Sequence, residues 1–406
     1  MSYLLRFSLT GLTAGVSFFA LGLVIPLLSK EMHFSLTENS WLLGIFSIAV
    51  ILFSPLWGML SDRIQKRKPF LVGGIIVFAV CNFLQFFSYN LTELLIIRFV
   101  QGAAFATNSM LNALFTDHFG PQAANRFAFF SASNALGFAI GSLVSGFFAE
   151  WFGIRSAFLL SGGMAIVVIF LIHFLLPDSP PMQTKNTKSR LPSGLHYLYA
   201  TVFVRQTAAM ALWSIFPIYM LSFVDNKAVI GAVNSSNMFV QPFFMIWMGR
   251  MAERWDHLKM VRWGIVGSAL TFLVLGAANN LWMIVLGQIM IAFAWSVMFI
   301  GMNMYMMERT NESNRGRAFG FLQASFMTAT AAGPFLGGPL SDAFGIHTMI
   351  YTMSGLMALS LLVLWRLRFL EKRSDSIVLA QDTPQASAKI GAQTATPGES
   401  ASPTGQ

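Results

Sequence analysis

The 406 residues include 55% hydrophobic and 14% aromatic side chains but only 11% charged ones, with 40 Phe against 17 Asp plus Glu. A soluble chain needs about a quarter charged residues to cover its surface, so a water-soluble enzyme, a disordered chain and a nucleic-acid-binding domain are excluded. The formal charge is +9, and the single Cys81 sits in an apolar run with no partner, which excludes a disulfide scaffold.

A hydrocarbon core ~30 Å thick takes about 20 apolar residues per helix. Twelve such runs follow one another, near 4–29, 39–60, 69–89, 92–115, 125–149, 156–176, 198–223, 228–250, 260–278, 281–307, 317–340 and 347–369. The expected fold is an all-α membrane protein with 12 transmembrane helices in two pseudo-symmetric six-helix bundles. The first run starts almost at Met1 without a small-residue cleavage site, which predicts a retained helix and not a removed signal. An N-terminal bundle over 1–176 is followed by a polar, proline-rich central loop over 177–197. A second bundle over 198–370 precedes an Ala-, Gln-, Thr-, Pro- and Ser-rich tail over 371–406, expected to be disordered.

Charge orients the chain. With a cytoplasmic N-terminus, 22 of the 26 Lys and Arg fall on the cytoplasmic side, a count that includes Arg205. Only Lys30, Arg155 and Lys227 fall opposite, and Arg98 lies within a helix. This positive-inside bias predicts a multi-pass protein of the cytoplasmic (inner) membrane with both termini inside. The lipid bilayer is then a partner, nucleic acid is not, and a monomer is expected.

The halves repeat. The loop after helix 2, Gly58-Met-Leu-Ser-Asp62-Arg63-Ile-Gln-Lys66-Arg67-Lys68, matches the loop after helix 8, Gly249-Arg-Met-Ala-Glu253-Arg254, at 249 − 58 = 191 positions. The end of helix 5, Gly141 to Gly146, Gly153 and Arg155, matches the end of helix 11, Gly333-Pro334 to Gly337-Gly338, Gly345 and His347, at 333 − 141 = 192.

On these residues the chain resembles the major facilitator superfamily over 4–370. Gly58–Lys68 is similar to its signature loop, with Gln65 at the second glycine position. Arg98-Phe-Val-Gln101-Gly102 resembles its helix 4 motif, and Gly137-x3-Gly141-Ser142-x2-Ser145-Gly146 resembles the helix 5 motif of drug:proton antiporters. That motif departs from its pattern at Ser142 and Ser145. Leu23-Val-Ile-Pro26-Leu in helix 1 is also like that subgroup. The resemblance implies alternating access. It makes Asp62 a conformational latch with Arg63 and Arg67 as charge partners, and Gly58, Gly249, Glu253 and Arg254 part of the same device. It also implies coupling through Arg98, Gln101 and Gly102, and helix packing through Gly137, Gly141, Gly146, Gly333, Pro334, Gly337 and Gly338.

Physically, Asp62 can meet a helix N-terminus or a neighbouring Arg, a contact available in only one state of a rocking pair of bundles. Polar groups in hydrocarbon should face a cavity or a partner. If, as the resemblance implies, helices 3, 6, 9 and 12 are peripheral, the other eight hold twelve mid-span Arg, Asn, Gln and His. The peripheral four hold three: Asn82, Gln85 and His173. Residues 98, 101, 108 and 112 share one face of helix 4 within roughly 80°. Asn108, Asn112, Asn134, Trp213, Asn237, Gln241, Asn303 and Gln323 are the expected substrate-cavity residues. The methionines of helix 10 (290, 298, 302, 304, 306 and 307) would suit varied apolar ligands.

None of the 17 acids lies mid-span, so a strongly cationic substrate would lack a partner, and proton coupling would fall to Glu31, to Glu93 near Arg98, or to His173. The scattered His residues and missing His-Glu-x-x-His leave no metal site or cofactor to expect. The reading is a carrier, not an enzyme, exporting small amphipathic or hydrophobic compounds, with protons as an implied coupling ion; an uptake permease or facilitator for a small organic metabolite is the alternative, and a transport-incompetent sensor or membrane enzyme a remote one.

Overall fold

A computed structural model of the chain describes residues 2–120, 123–177, 191–192, 194–310 and 314–366. Most of the expected central loop and all of the expected tail lie outside these residues. The helices are α1 (Tyr3–Glu31), α2 (Leu36–Ile64), α3 (Lys68–Phe87), α4 (Leu91–Phe119), α5 (Ala123–Phe152) and α6 (Ser156–Leu175). The second set is α7 (Leu195–Trp213, continued by a short Phe216–Met220 turn), α8 (Lys227–Ala252), α9 (His257–Gly276), α10 (Leu281–Arg309), α11 (Arg315–Phe344) and α12 (Ile346–Arg366). Among the described residues nine helices are long and apolar enough to cross a bilayer; α7, α8 and α11 are outside that set. α8 and α11 are the helices most interrupted by Asn, Gln, Pro and Gly.

Local chemistry sets the ends. Ser35 and Glu38 form a reciprocal capping box at the start of α2. Asn90, Asn226, Asp256 and Asn280 cap α4, α8, α9 and α10 through their side-chain oxygens. Pro217 accompanies the break after Trp213. Gln65 ends α2 in the left-handed region at φ 59°, the conformation that suits glycine there, and its amide donates to the Asp62 carbonyl oxygen.

The packing repeats with the sequence. α1 packs on α5, α2 on α4 and α3 on α4; α7 packs on α11, α8 on α10 and α9 on α10. Between the halves α5 meets α8 and α2 meets α11, one pair exchanging into the other under the repeat. These crossings are close because they are built on glycine. A Cβ at Gly137 or Gly141 would collide with the α1 backbone at Leu12 or Val16, and one at Gly146 with Gly231 of α8. Gly333 and Gly337 stand equally close to α7, and Gly338 to Ser40 of α2.

Gly141→Val should therefore destabilise the protein by about 1–3 kcal/mol, read as a lowered thermal unfolding midpoint in detergent. Gly163→Ala, with nothing within 4 Å of the added methyl, should leave the midpoint unchanged or raise it.

Candidate functional site

At the end of the molecule far from the basic loops, two carboxylates join the halves. Asp342, near the end of α11, accepts from Leu36 N at 3.1 Å, Thr37 N at 2.8 Å and Thr37 Oγ1 at 2.6 Å. Glu150, near the end of α5, accepts from Lys227 N at 2.7 Å. Each therefore answers the unpaired N–H groups and positive dipole end of a helix in the other half, α2 or α8. The two are repeat equivalents, since 342 − 150 = 192 and 227 − 36 = 191. Deeper in the same interface Asn39 Nδ2 donates to the Ser214 carbonyl at 3.0 Å, and Asn234 Nδ2 to Ser142 Oγ at 2.8 Å.

At the basic end the ion pairs stay within one half. Arg67 bridges Asp62 at 3.1 Å and Asp117 of α4 at 2.5 Å. His257 Nδ1 stands 2.9 Å from Glu308 of α10. These acids are again equivalents, 308 − 117 = 191. Arg63, Glu253 and Arg254 are exposed, and a Cβ at Gly58 or Gly249 would meet nothing within 4 Å. Of the two Arg that the resemblance sets beside Asp62, Arg67 contacts it and Arg63 is exposed.

Between the two ends lies a cavity of about 460 Å³, bounded by α1, α2 and α4 on one side and α7, α8, α10 and α11 on the other. Its apolar wall includes Phe18, Phe46, Met210, Trp213, Met238 and Trp295; its polar groups are Ser47, Arg98, Arg205, Gln206, Ser214, Asn234, Asn237, Gln241 and Thr330. The volume suits a drug-sized ligand, with a few polar groups in an apolar wall.

Arg98 is buried and lies 4.3 Å from the centre of the Phe46 ring. Its Nε donates to the Leu42 carbonyl at 3.1 Å and its Nη1 to Gln101 Oε1 at 2.8 Å. Gln85 Nε2 donates to the same oxygen, and Gln101 Nε2 donates to Asn82 Oδ1, both at 2.9 Å. Asn82 and Gln85 are fully buried partners of α4, so these two polar residues of a peripheral helix face inward. Gly102 lets α2 approach this network, for a Cβ there would strike the Phe46 carbonyl. Glu93, expected near Arg98, instead accepts from Ser88 Oγ at 3.0 Å.

Of the expected cavity residues, Trp213, Asn237 and Gln241 line this space, and Asn237 Nδ2 also donates to Gln288 Oε1 at 2.6 Å. Asn108 lines a small separate cavity among α1, α3, α4 and α6. Asn134 donates to the Gly11 carbonyl of α1 and Asn303 to Phe299 of its own helix, while Asn112 and Gln323 are exposed. The α10 methionines do not line the cavity; Met298, Met302 and Met306 pack in a core cluster with α7, α9 and α11, because the face of α10 toward the cavity is Ile291, Ala292 and Trp295. Arg205, assigned by charge counting to the cytoplasmic surface, is instead buried and lines the cavity. It lies nearly three turns into α7, and distance from the helix end was the available signal.

Comparison with known proteins agrees with this architecture. The family model described as Major Facilitator Superfamily matches residues 7–195 and 198–395. The chain belongs to the major facilitator superfamily. It is thus a multi-pass membrane transporter of small molecules. Similar proteins include the multi-drug resistance efflux pump PmrA of Streptococcus pneumoniae, 25% identical over 335 residues covering 79% of this chain and 83% of that one. The quinolone resistance protein NorA of Staphylococcus aureus is 25% identical over 351 residues, covering 81% and 87%. Among solved structures, the nucleoside transporter NupG superposes with a TM-score of 0.76 at 13% identity, covering 92% of this chain and all (100%) of that one. A bacterial homolog of the human lysosomal transporter Spinster, inward-facing, gives 0.76 at 14%, covering 90% and 96%.

In this facilitator fold a carboxylate at a helix N-terminus contributes about 0.3–2 kcal/mol. Removing both in Glu150→Gln plus Asp342→Asn should expose the cavity to the end they close. With Cys81→Ser and Ser214→Cys as reporter, an impermeant thiol reagent added at that end should label the variant several-fold faster than the parent. Equal labelling would mean that the two caps do not hold that end shut.

Proposed function

We propose that this transporter exports small amphipathic or hydrophobic organic compounds across the cytoplasmic membrane by alternating access, taking them up from its basic end. The observation that carries the reading is the asymmetry of the two ends. Paired carboxylate caps join the halves at one end, whereas at the other the contacts of Arg67 with Asp62 and Asp117 and of His257 with Glu308 each stay within one half. The bias of Lys and Arg makes the open end cytoplasmic, so this is the inward-facing, loading state. Export is supported by the apolar wall around Trp213 and Trp295 and by the likeness to PmrA and NorA. The chain acts as a monomer, since both halves of the cavity come from one polypeptide.

Asp62, more than half exposed on Arg67 in this state, serves as the latch of the opposite state. There the loop closes on the other half, and Glu253 and Arg254 complete the contact from α8. Arg98, Gln101 and Gly102 couple α4 to α2 and α3. Asp62→Asn should abolish dye and drug efflux from proteoliposomes while membrane insertion stays intact; normal efflux by that variant would remove Asp62 from the mechanism.

Protons are the exchange partner in this reading. Among the described residues none that lines the cavity supplies a carboxylate, which favours a second reading, a facilitator or uptake permease. An imposed pH gradient separates the two. Substrate that collapses the gradient establishes exchange and leads to Glu31 and Glu93 as proton carriers. Transport indifferent to the gradient establishes facilitation.

A further inference from the structure

The charge lining the cavity is unbalanced. Arg98 and Arg205 both border it, both are buried, and among the described residues none that lines the cavity is an acid. The acids of the lining helices, among them Glu31, Glu38, Glu93 and Glu308, lie at helix ends. We infer that the transported compound carries an anionic group, a carboxylate, sulfonate or phosphate, on an apolar body, and that Arg205 together with Arg98 binds it. This deepens the export reading of the same cavity and rests on it.

A guanidinium has five N–H donors and holds its charge at any physiological pH. Arg205 Nη1 donates to Gln206 Oε1 at 2.9 Å and Nη2 to Ser268 Oγ at 2.7 Å, while its buried Nε has no acceptor. Arg98 donates to a backbone carbonyl and to an amide oxygen. All four acceptors are neutral, so the protein orients both cations without neutralising either. A cation withdrawn from water is costly until a counter-charge arrives. One aromatic ring stands against each cation: Trp295 lies 4.9 Å from the Arg205 guanidinium and Phe46 lies 4.3 Å from that of Arg98. Each terminal nitrogen carries two N–H groups, of which the protein engages one on Arg205 Nη1, one on Arg205 Nη2 and one on Arg98 Nη1, so donors remain that suit a carboxylate or phosphate. Beside them, Trp213, Met210 and Met238 offer apolar surface to the body of the same molecule.

The test uses the full chain in liposomes with three probes of one shape: naphthalene sulfonate, naphthyl methanol and naphthyl trimethylammonium. Binding and counterflow are measured for each. The sulfonate should bind at least about tenfold more tightly than the neutral probe, the size of a charge-assisted hydrogen bond, and should be the probe that is transported. Arg205→Gln should erase that preference. Arg205→Lys, keeping charge but losing the fork, should retain it at lower affinity, and both variants should remain monodisperse. A sulfonate that binds no better than the alcohol, or a preference that survives Arg205→Gln, would overturn the inference. If the neutral or cationic probe is transported and the sulfonate is not, the anion assignment falls while export stands. If no probe binds or moves, both fall.

Discussion

The two halves of this molecule must hold together without being fastened, because a carrier has to open at each end in turn. In hydrocarbon, van der Waals packing and polar contacts take over from the hydrophobic effect as the glue between helices. The chain meets the requirement with glycine-lined crossings between α5 and α8 and between α2 and α11. Hydrogen bonds from one helix N-terminus to one carboxylate accompany each crossing. Such contacts are worth little individually, and that is what a reversible seal needs. By contrast, the Arg67–Asp117 ion pair and the His257–Glu308 contact stiffen each half internally, so that it can move as a body.

Much of this was legible in the residues. Hydrophobicity points to the spans, nine of which are helices long and apolar enough to cross a bilayer among the described residues. The repeat offset of 191–192 placed the α2–α3 loop and the glycines of α5 and α11 in equivalent roles. The same offset, applied to the acids, pairs Glu150 with Asp342 and Asp117 with Glu308. Those pairs were available in the sequence but need the structure to show what each acid touches.

What was less legible depended on which way a side chain points. The Met residues of α10 and the amides at 112, 134, 303 and 323 are polarisable or polar, yet a helix has several faces, and composition does not choose among them. Asn82 and Gln85 carry the same lesson, since a peripheral helix still has an inner face, here turned to Gln101. Arg205 misled for another reason. Charge counting treats an Arg near a span end as a topology marker, whereas this one turns inward between Gln206, Ser268 and Trp295.

The central claim is that the two ends open alternately. Its most direct test is a pair of interspin distances by pulsed dipolar spectroscopy in lipid, one across the basic end from Lys66→Cys to Trp255→Cys, the other across the opposite end from Phe152→Cys to Asn279→Cys, each in a Cys81→Ser background. Adding a transported compound should shorten the first distance population and lengthen the second together. Two ends that stay fixed, or that widen and narrow in the same sense, would contradict alternating access in this molecule.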